Sequence, residues 1–348
     1  MSAAVDHGAV ALAAPHGHAV DAAAEAIAEG GNALDAALAA AAMLVVTYPH
    51  QCALGGDLTA LVRDPDGEVT AVLSLGAAPA AVDVEALRAM GARMPRQGPF
   101  TVTVPGIVAG WVELAGLGAT LGLRAPLLRA AAAAADGVPV AAGLARAIEF
   151  EAEAVEADAG LRATFTRDGT PLAAGAELRQ PALARTLETL AADPAQSYEG
   201  EIAAALVDFL AAAGSAMSAE DFAAHAVERP QPLARTEGEL RWWVAPPPAQ
   251  GATALALLGP TDAPLTRALA AHAARDTFLG DPRGGAIDVA AMIDLTPESA
   301  TAPGAYGNGD TVAISAVDDA GRSVVLIQSL FRTFGSGLLE PRTGIVLV

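Results

Sequence analysis

Residues 307–321 read GNGDTVAISAVDDAG. A loop of Gly, Asn, Gly and Asp gives way at Thr311 to a run that has the pattern of a β-strand, and β-branched threonine is favoured at such a start. Asp318-Asp319-Ala320-Gly321 has turn composition and joins this run to a second one, so Thr311–Leu330 is expected to form a β-hairpin. Thr311 has two readings at this level. It is a strand-opening residue, or it is a nucleophile. A threonine hydroxyl attacks poorly unless a base sits beside it, and a chain cut before Thr311 supplies that base as the new α-amine. The hydroxyl can itself attack the preceding carbonyl, and a strained glycine-containing loop at 307–310 presents that carbonyl. Asp310–Thr311 is therefore the candidate scissile bond, and local sequence leaves both readings open.

Working outward, "GDLTALVRDPDGEVTAVLSL" (Gly56–Leu75) predicts another hairpin, with Asp64-Pro65-Asp66-Gly67 as its turn. Upstream, Asp21–Val46 predicts two helices. The first stops at Gly30-Gly31, and Asn32 caps the second by accepting a backbone N–H of its first turn. Residues 101–111 predict a strand or loop running into a helix, with Pro105-Gly106 as punctuation. Residues 113–225 are mostly helical in pattern, with Ser218 and Asp221 spaced as a capping box. Arg241–Leu258 predicts a strand, a proline-stiffened loop and a helix. No repeat and no linker divides the chain. Strands at both ends of a long helical middle imply a layered α/β architecture.

The 348 residues suffice for a sizeable core, and 53% of them are apolar, mostly alanine. Forty acidic against 20 basic residues give a net charge of −20, which argues against binding nucleic acid or an anionic membrane surface. The lone Cys52 excludes an intrachain disulfide and a cysteine-rich metal site, and is expected to be a small buried apolar residue. His16 and His18 lack a nearby third ligand, so no metal is expected. The glycine pairs form no phosphate loop, and no GxSxG elbow is present. The first twenty residues have neither Lys or Arg nor a long apolar core, and the longest apolar run, Ala36–Val46, is too short to span a bilayer; a cytoplasmic protein is the expectation. "FRTFGSGLLEPRTG" (Phe331–Gly344) is a glycine-rich loop, read either as a wrap around a small ligand through Gly335, Ser336 and Gly337 or as a flexible connection.

Taken together, these segments resemble the γ-glutamyltransferase family of N-terminal nucleophile hydrolases, in order and across nearly the whole chain. The carriers are "AEAIAEGGNALDAALAAAAMLVVTYPHQCALGGDLTALV" (Ala24–Val62), "VTVPGIVAGW" (Val102–Trp111), "LRQPALARTLETLA" (Leu178–Ala191) and "YEGEIAAAL" (Tyr198–Leu206). They continue with "PPPAQGATALALL" (Pro246–Leu258), "ARDTFLGDP" (Ala274–Pro282) and the nucleophile hairpin with its glycine loop, Gly309–Leu347. The resemblance implies a four-layer αββα sandwich and autocleavage before Thr311, dividing a large-chain region 1–310 from a small-chain region 311–348 within one structural domain. It implies attack of Thr311 on a γ-glutamyl amide, resolution of the acyl-enzyme by water, an amino acid or a peptide, and no cofactor. Ser329 matches a family hydroxyl beside the nucleophile.

The chain departs from the family pattern at three places. The family's carboxylate-binding arginine is missing from "SLGAAP", where Leu75 and Ala77 stand instead. Val312-Ala313 follow the nucleophile in place of Thr-His. Only 38 residues (348 − 310) follow the expected cut, so the sandwich is expected to be incomplete at its C-terminal end. A degenerate member with a binding or structural role, and an acylase for a different amide, remain as alternatives.

Overall fold

The computed structural model describes residues 3–6, 10–261, 263–295 and 311–348. Its organising element is a six-stranded sheet. The strands are β1 (Ala3–Asp6), β2 (Val10–Ala14), β3 (Asp57–Arg63), β4 (Val69–Ser74), β5 (Val312–Asp318) and β6 (Ser323–Ser329). Their spatial order is β1-β2-β5-β6-β3-β4, and every neighbouring pair is antiparallel. The expected C-terminal hairpin thus enters the middle of the sheet and takes a partner from the N-terminal part on each side. The β5–β6 turn closes with Gly321 N–H donating to the Asp318 carbonyl at 3.0 Å.

Strand alternation decides which side chains go inward. Val312, Ile314 and Ala316 of β5 and Val324 and Leu326 of β6 are buried against a helix layer. The opposite face leaves Val317, Val325 and Ile327 exposed. The helix layer is built on α1 (Gly17–Ala28) and α2 (Ala33–Thr47), and every residue of α2 is buried. Alanine explains this packing: small side chains let the helix lie close to the sheet on one flank and to helix Arg124–Asp136 on another. The α/β class read from the sequence holds. Four layers were expected; among the described residues the six-stranded sheet carries a helix layer on one face, and the other sheets are two-stranded.

Local readings translate directly. Asn32 caps α2 in a reciprocal box with Asp35: its Oδ1 accepts from Leu34 N–H, and its own N–H donates to Asp35 Oδ2 at 3.0 Å. Ser218 and Asp221 form the second box. The 64–67 turn joins β3 to β4. Residues 102–106 form no strand, and the helix begins at Ile107. Within the helical middle lie two small two-stranded ladders, one of Val138–Pro139 with Glu177–Leu178 and one of Thr166–Arg167 with Thr170–Pro171. Strand Leu240–Val244 pairs with Leu233–Glu237 in an outlying hairpin. Cys52 is fully buried, and desolvation pushes its thiol up to about 12, which makes it unreactive. His16 caps α1 through its ring Nδ1. Among the described residues no helix is long and apolar enough to cross a membrane.

Asp35 is fully buried and ties the start of α2 to a distant loop. Its carboxylate accepts from Asn32 N–H, and from Thr120 and Leu121 N–H at 2.8 Å each. Asp35→Ala strands three donors, so we expect a loss of about 2–4 kcal/mol, read as a lower urea midpoint. Asp35→Asn restores part of the loss, because the amide oxygen still accepts.

Candidate active site

Thr311 stands immediately before β5. The register pairs Val312 with Gln328, which sets Thr311 beside Ser329, and the next strand pairs Ser329 with Asp57. Three adjacent strand ends therefore bring Thr311, Ser329 and Asp57 into one row. The hydroxyls of Thr311 and Ser329 are 2.9 Å apart. Ser329 Oγ also accepts from Phe331 N–H at 2.8 Å, so the serine hydroxyl is oriented by backbone. Asp310, the other side of the expected scissile bond, lies outside the described residues.

Two features fix this row. Gly56 packs its Cα against the Ser329 carbonyl, and a Cβ there would stand 2.2 Å from that oxygen. The glycine preceding β3 is thus a condition for β6 to lie where it does. The Gly56 carbonyl in turn accepts from Gly106 and Ile107 N–H, at 2.8 and 3.1 Å, and holds the start of helix Ile107–Gly116. Behind it, Tyr198 hydroxyl donates to the Pro105 carbonyl at 2.9 Å and accepts from Ala109 N–H at 3.0 Å. Ser74 Oγ donates to the Gly106 carbonyl at 2.6 Å and lies 3.1 Å from His225 Nε2. These groups clamp the Pro105-Gly106 turn that the sequence marked only as punctuation.

Beside the row lies a cavity of about 480 Å³, walled by Asp57, Arg96, Phe331, Arg332 and Gly335 among others. Phe331 has φ 65°, a left-handed conformation that is strained for a bulky residue, and its ring is exposed at the cavity rim. Of the three loop residues read as ligand contacts, Gly335 lines the cavity. Gly335 has no room for a side chain, since a Cβ would lie 2.1 Å from the Leu347 carbonyl. Ser336 does not offer its hydroxyl to a ligand here: it is buried and donates to the Leu347 carbonyl at 3.0 Å. Gly337 backs onto the side chain of Gln97. Sequence reading missed Asp57, Ser74, Tyr198, His225, Arg96 and Arg332. The GGD turn before β3 was visible, but pairing Asp57 with Ser329 depends on a register between residues far apart in the chain.

Asp57 Oδ1 accepts from Gly76 N–H at 2.8 Å. Burial raises its carboxyl from an ordinary 3.8 to about 6, opposed by the Gly76 hydrogen bond and by Arg283. Between these two values the folded protein holds a proton that the unfolded chain has released, so unfolding free energy falls as pH rises through the window. Asp57→Asn removes that slope. Urea unfolding from pH 4 to 7 should show the variant gaining on the parent by roughly 1–3 kcal/mol. A constant difference across that range contradicts the assignment.

The chain matches the family Gamma-glutamyltranspeptidase over residues 19–348. It is 37% identical over 365 residues to the oxamate amidohydrolase proenzyme of Klebsiella pneumoniae, covering 96% of this chain and 69% of that protein. It is 30% identical to the glutathione hydrolase proenzyme of Escherichia coli, covering 92% of this chain and 62% of that protein. The chain thus spans between three fifths and seven tenths of these relatives. The fold superposes on the cephalosporin acylase of Bacillus halodurans with a TM-score of 0.86 at 27% identity, covering 100% of this chain and 70% of that one. With the threonine–serine pair at the head of the central hairpin and relatives made as proenzymes, the chain belongs to the γ-glutamyltranspeptidase family.

Proposed function

We propose that the protein is an amidohydrolase or acyltransferase that cleaves itself between Asp310 and Thr311 and then uses Thr311 as nucleophile. The observation that carries this reading is the 2.9 Å contact between Thr311 Oγ1 and Ser329 Oγ, at the end of the central strands and beside the cavity.

In self-cleavage the Thr311 hydroxyl adds to the carbonyl of residue 310. The C–N bond breaks, the acyl group passes to oxygen, and the nitrogen takes the proton. Water then hydrolyses the ester, leaving a free α-amine on Thr311. In turnover that amine takes the hydroxyl proton as Oγ1 attacks the substrate carbonyl, and delivers it to the leaving amine as the substrate C–N bond breaks. Water or an acceptor amine displaces the acyl group and regenerates the hydroxyl. Ser329 donates to or accepts from Thr311 Oγ1 and keeps it aimed. The new small chain, from residue 311 onward, stays bound through the β2–β5 and β6–β3 ladders.

The substrate is a small γ-glutamyl or related amide. A second reading, an acylase for an amide other than γ-glutamyl, is favoured by Leu75 and Ala77 standing where the family arginine is expected, and by similarity to the oxamate amidohydrolase and cephalosporin acylase.

Intact-mass analysis tests the proposal. Purified protein should resolve into two polypeptides broken before Thr311. Thr311→Ala should give one uncut chain without amidase activity, and Thr311→Ser should still cut. Ser329→Ala should lower turnover by roughly 100-fold, the scale of misplacing a reacting group by about an ångström. An uncut Thr311→Ala chain that still hydrolyses amides at the parental rate overturns the assignment.

A further inference from the structure

All twenty basic residues of this chain are arginine, set against forty acidic residues. With acids in twofold excess, most exposed guanidinium groups should find a carboxylate, and Arg88, Arg129, Arg162, Arg179, Arg229 and Arg342 all do. Arg96 and Arg332 have neither an ion pair nor a side-chain hydrogen bond with any described residue.

Their position is specific. A second cavity of about 300 Å³ adjoins the one lined by Asp57, and Arg96 and Arg332 are the two residues that line both. They form the wall between the cavities. Arg332 lies on the loop that leaves β6, three residues after Ser329. Arg96 comes from the segment after helix Val84–Met90, and Gly98 N–H pins that segment to the Ser336 carbonyl at 2.7 Å. Gln97 donates at 3.3 Å to Glu151, which lines the smaller cavity, so this carboxylate has a neutral partner. Asp57 lines the larger cavity at the nucleophile side.

Two arginines that line the same two cavities and have no carboxylate partner among the described residues make a candidate binding site for an anion. A planar carboxylate matches the paired donors of a guanidinium better than any other small anion in an amide substrate. We propose that Arg96 and Arg332 hold the carboxylate of a small amide of a dicarboxylic acid, so that its amide carbonyl faces Thr311. This assignment rests on the amidohydrolase reading above. It replaces, from two loops, the guanidinium missing from the 74–79 stretch.

The test uses the whole chain and measures binding separately from turnover. Oxalate, malonate and glutarate are titrated by calorimetry at low salt into the parent, Arg96→Gln, Arg332→Gln, Arg332→Lys and Thr311→Ala proteins, with neutral glutaramide as control. We expect at least one dicarboxylate to bind the parent and Thr311→Ala alike. Each Gln variant should weaken it about tenfold or more, Arg332→Lys should fall between, and glutaramide should not bind. For a carboxylate-bearing amide, the Gln variants should raise KM and leave kcat nearly unchanged. No binding by the parent, or equal binding by the Gln variants, overturns the clamp. Anion binding that depends on the arginines in a chain that never cleaves an amide retains the clamp and defeats the hydrolase reading. Thr311-dependent hydrolysis with unchanged KM in the Gln variants does the reverse.

Discussion

The whole arrangement depends on β5 and β6 lying between β2 and β3. A hairpin at the edge of the sheet would leave one ladder unmade and its first residue at a frayed corner. In the middle, both flanks of the hairpin are hydrogen-bonded, its inward side chains are buried on α2, and its ends are fixed to the register. Gln328 adds a polar tie next to Ser329. Fully buried, it donates to the Ala41 carbonyl of α2 at 3.0 Å and accepts from Trp111 Nε1 at 3.2 Å. A buried amide with partners on two helices permits one position of the strand and penalises a slip, because a one-residue shift would turn Gln328 to the open face.

That registration makes a site out of ordinary residues. Thr311, Ser329 and Asp57 carry no motif in common, and their proximity follows from strand pairing alone. The strained Phe331 belongs to the same construction. Its positive φ turns the chain away from β6 at once, so that its own N–H reaches back to Ser329 Oγ while Arg332 and Gly335 reach the cavity. Strain of about 1–3 kcal/mol at one residue is borne by the surrounding packing, in which Phe334 is fully buried against Phe165.

Elements whose signal is local were legible in the sequence. The Asn32 and Ser218 caps, the 64–67 and 318–321 turns, and the buried alanine helix α2 follow from side-chain chemistry within a few residues. β1 and β2 were not read, because an alanine-rich segment has little strand propensity; β2 is specified by the partner it finds in β5, and β1 by β2. The threonine–serine pair was legible through family resemblance and not from spacing. Ser336 was read either as a ligand contact or as part of a flexible connection; the hydrogen bond of its hydroxyl to the Leu347 carbonyl was not legible, because that partner lies eleven residues on. The arginines at the cavity were invisible for a similar reason: only the fold shows which cations lack a carboxylate.

The same registration bears on the order of events at Thr311. On the proposed reading, the base for Thr311 is its own α-amine, which does not exist before the preceding bond is cut, whereas Ser329, Asp57 and the cavity wall come from elements already paired and packed. The proposed cleavage therefore needs no new pairing of these strands. It would free the end of a strand held by a ladder on either side, and would convert an amide nitrogen into a base beside the hydroxyl. An enzyme built in this way keeps its reactive group inert until the sheet around it has formed, because the register that aligns Thr311 with Ser329 is itself a product of folding.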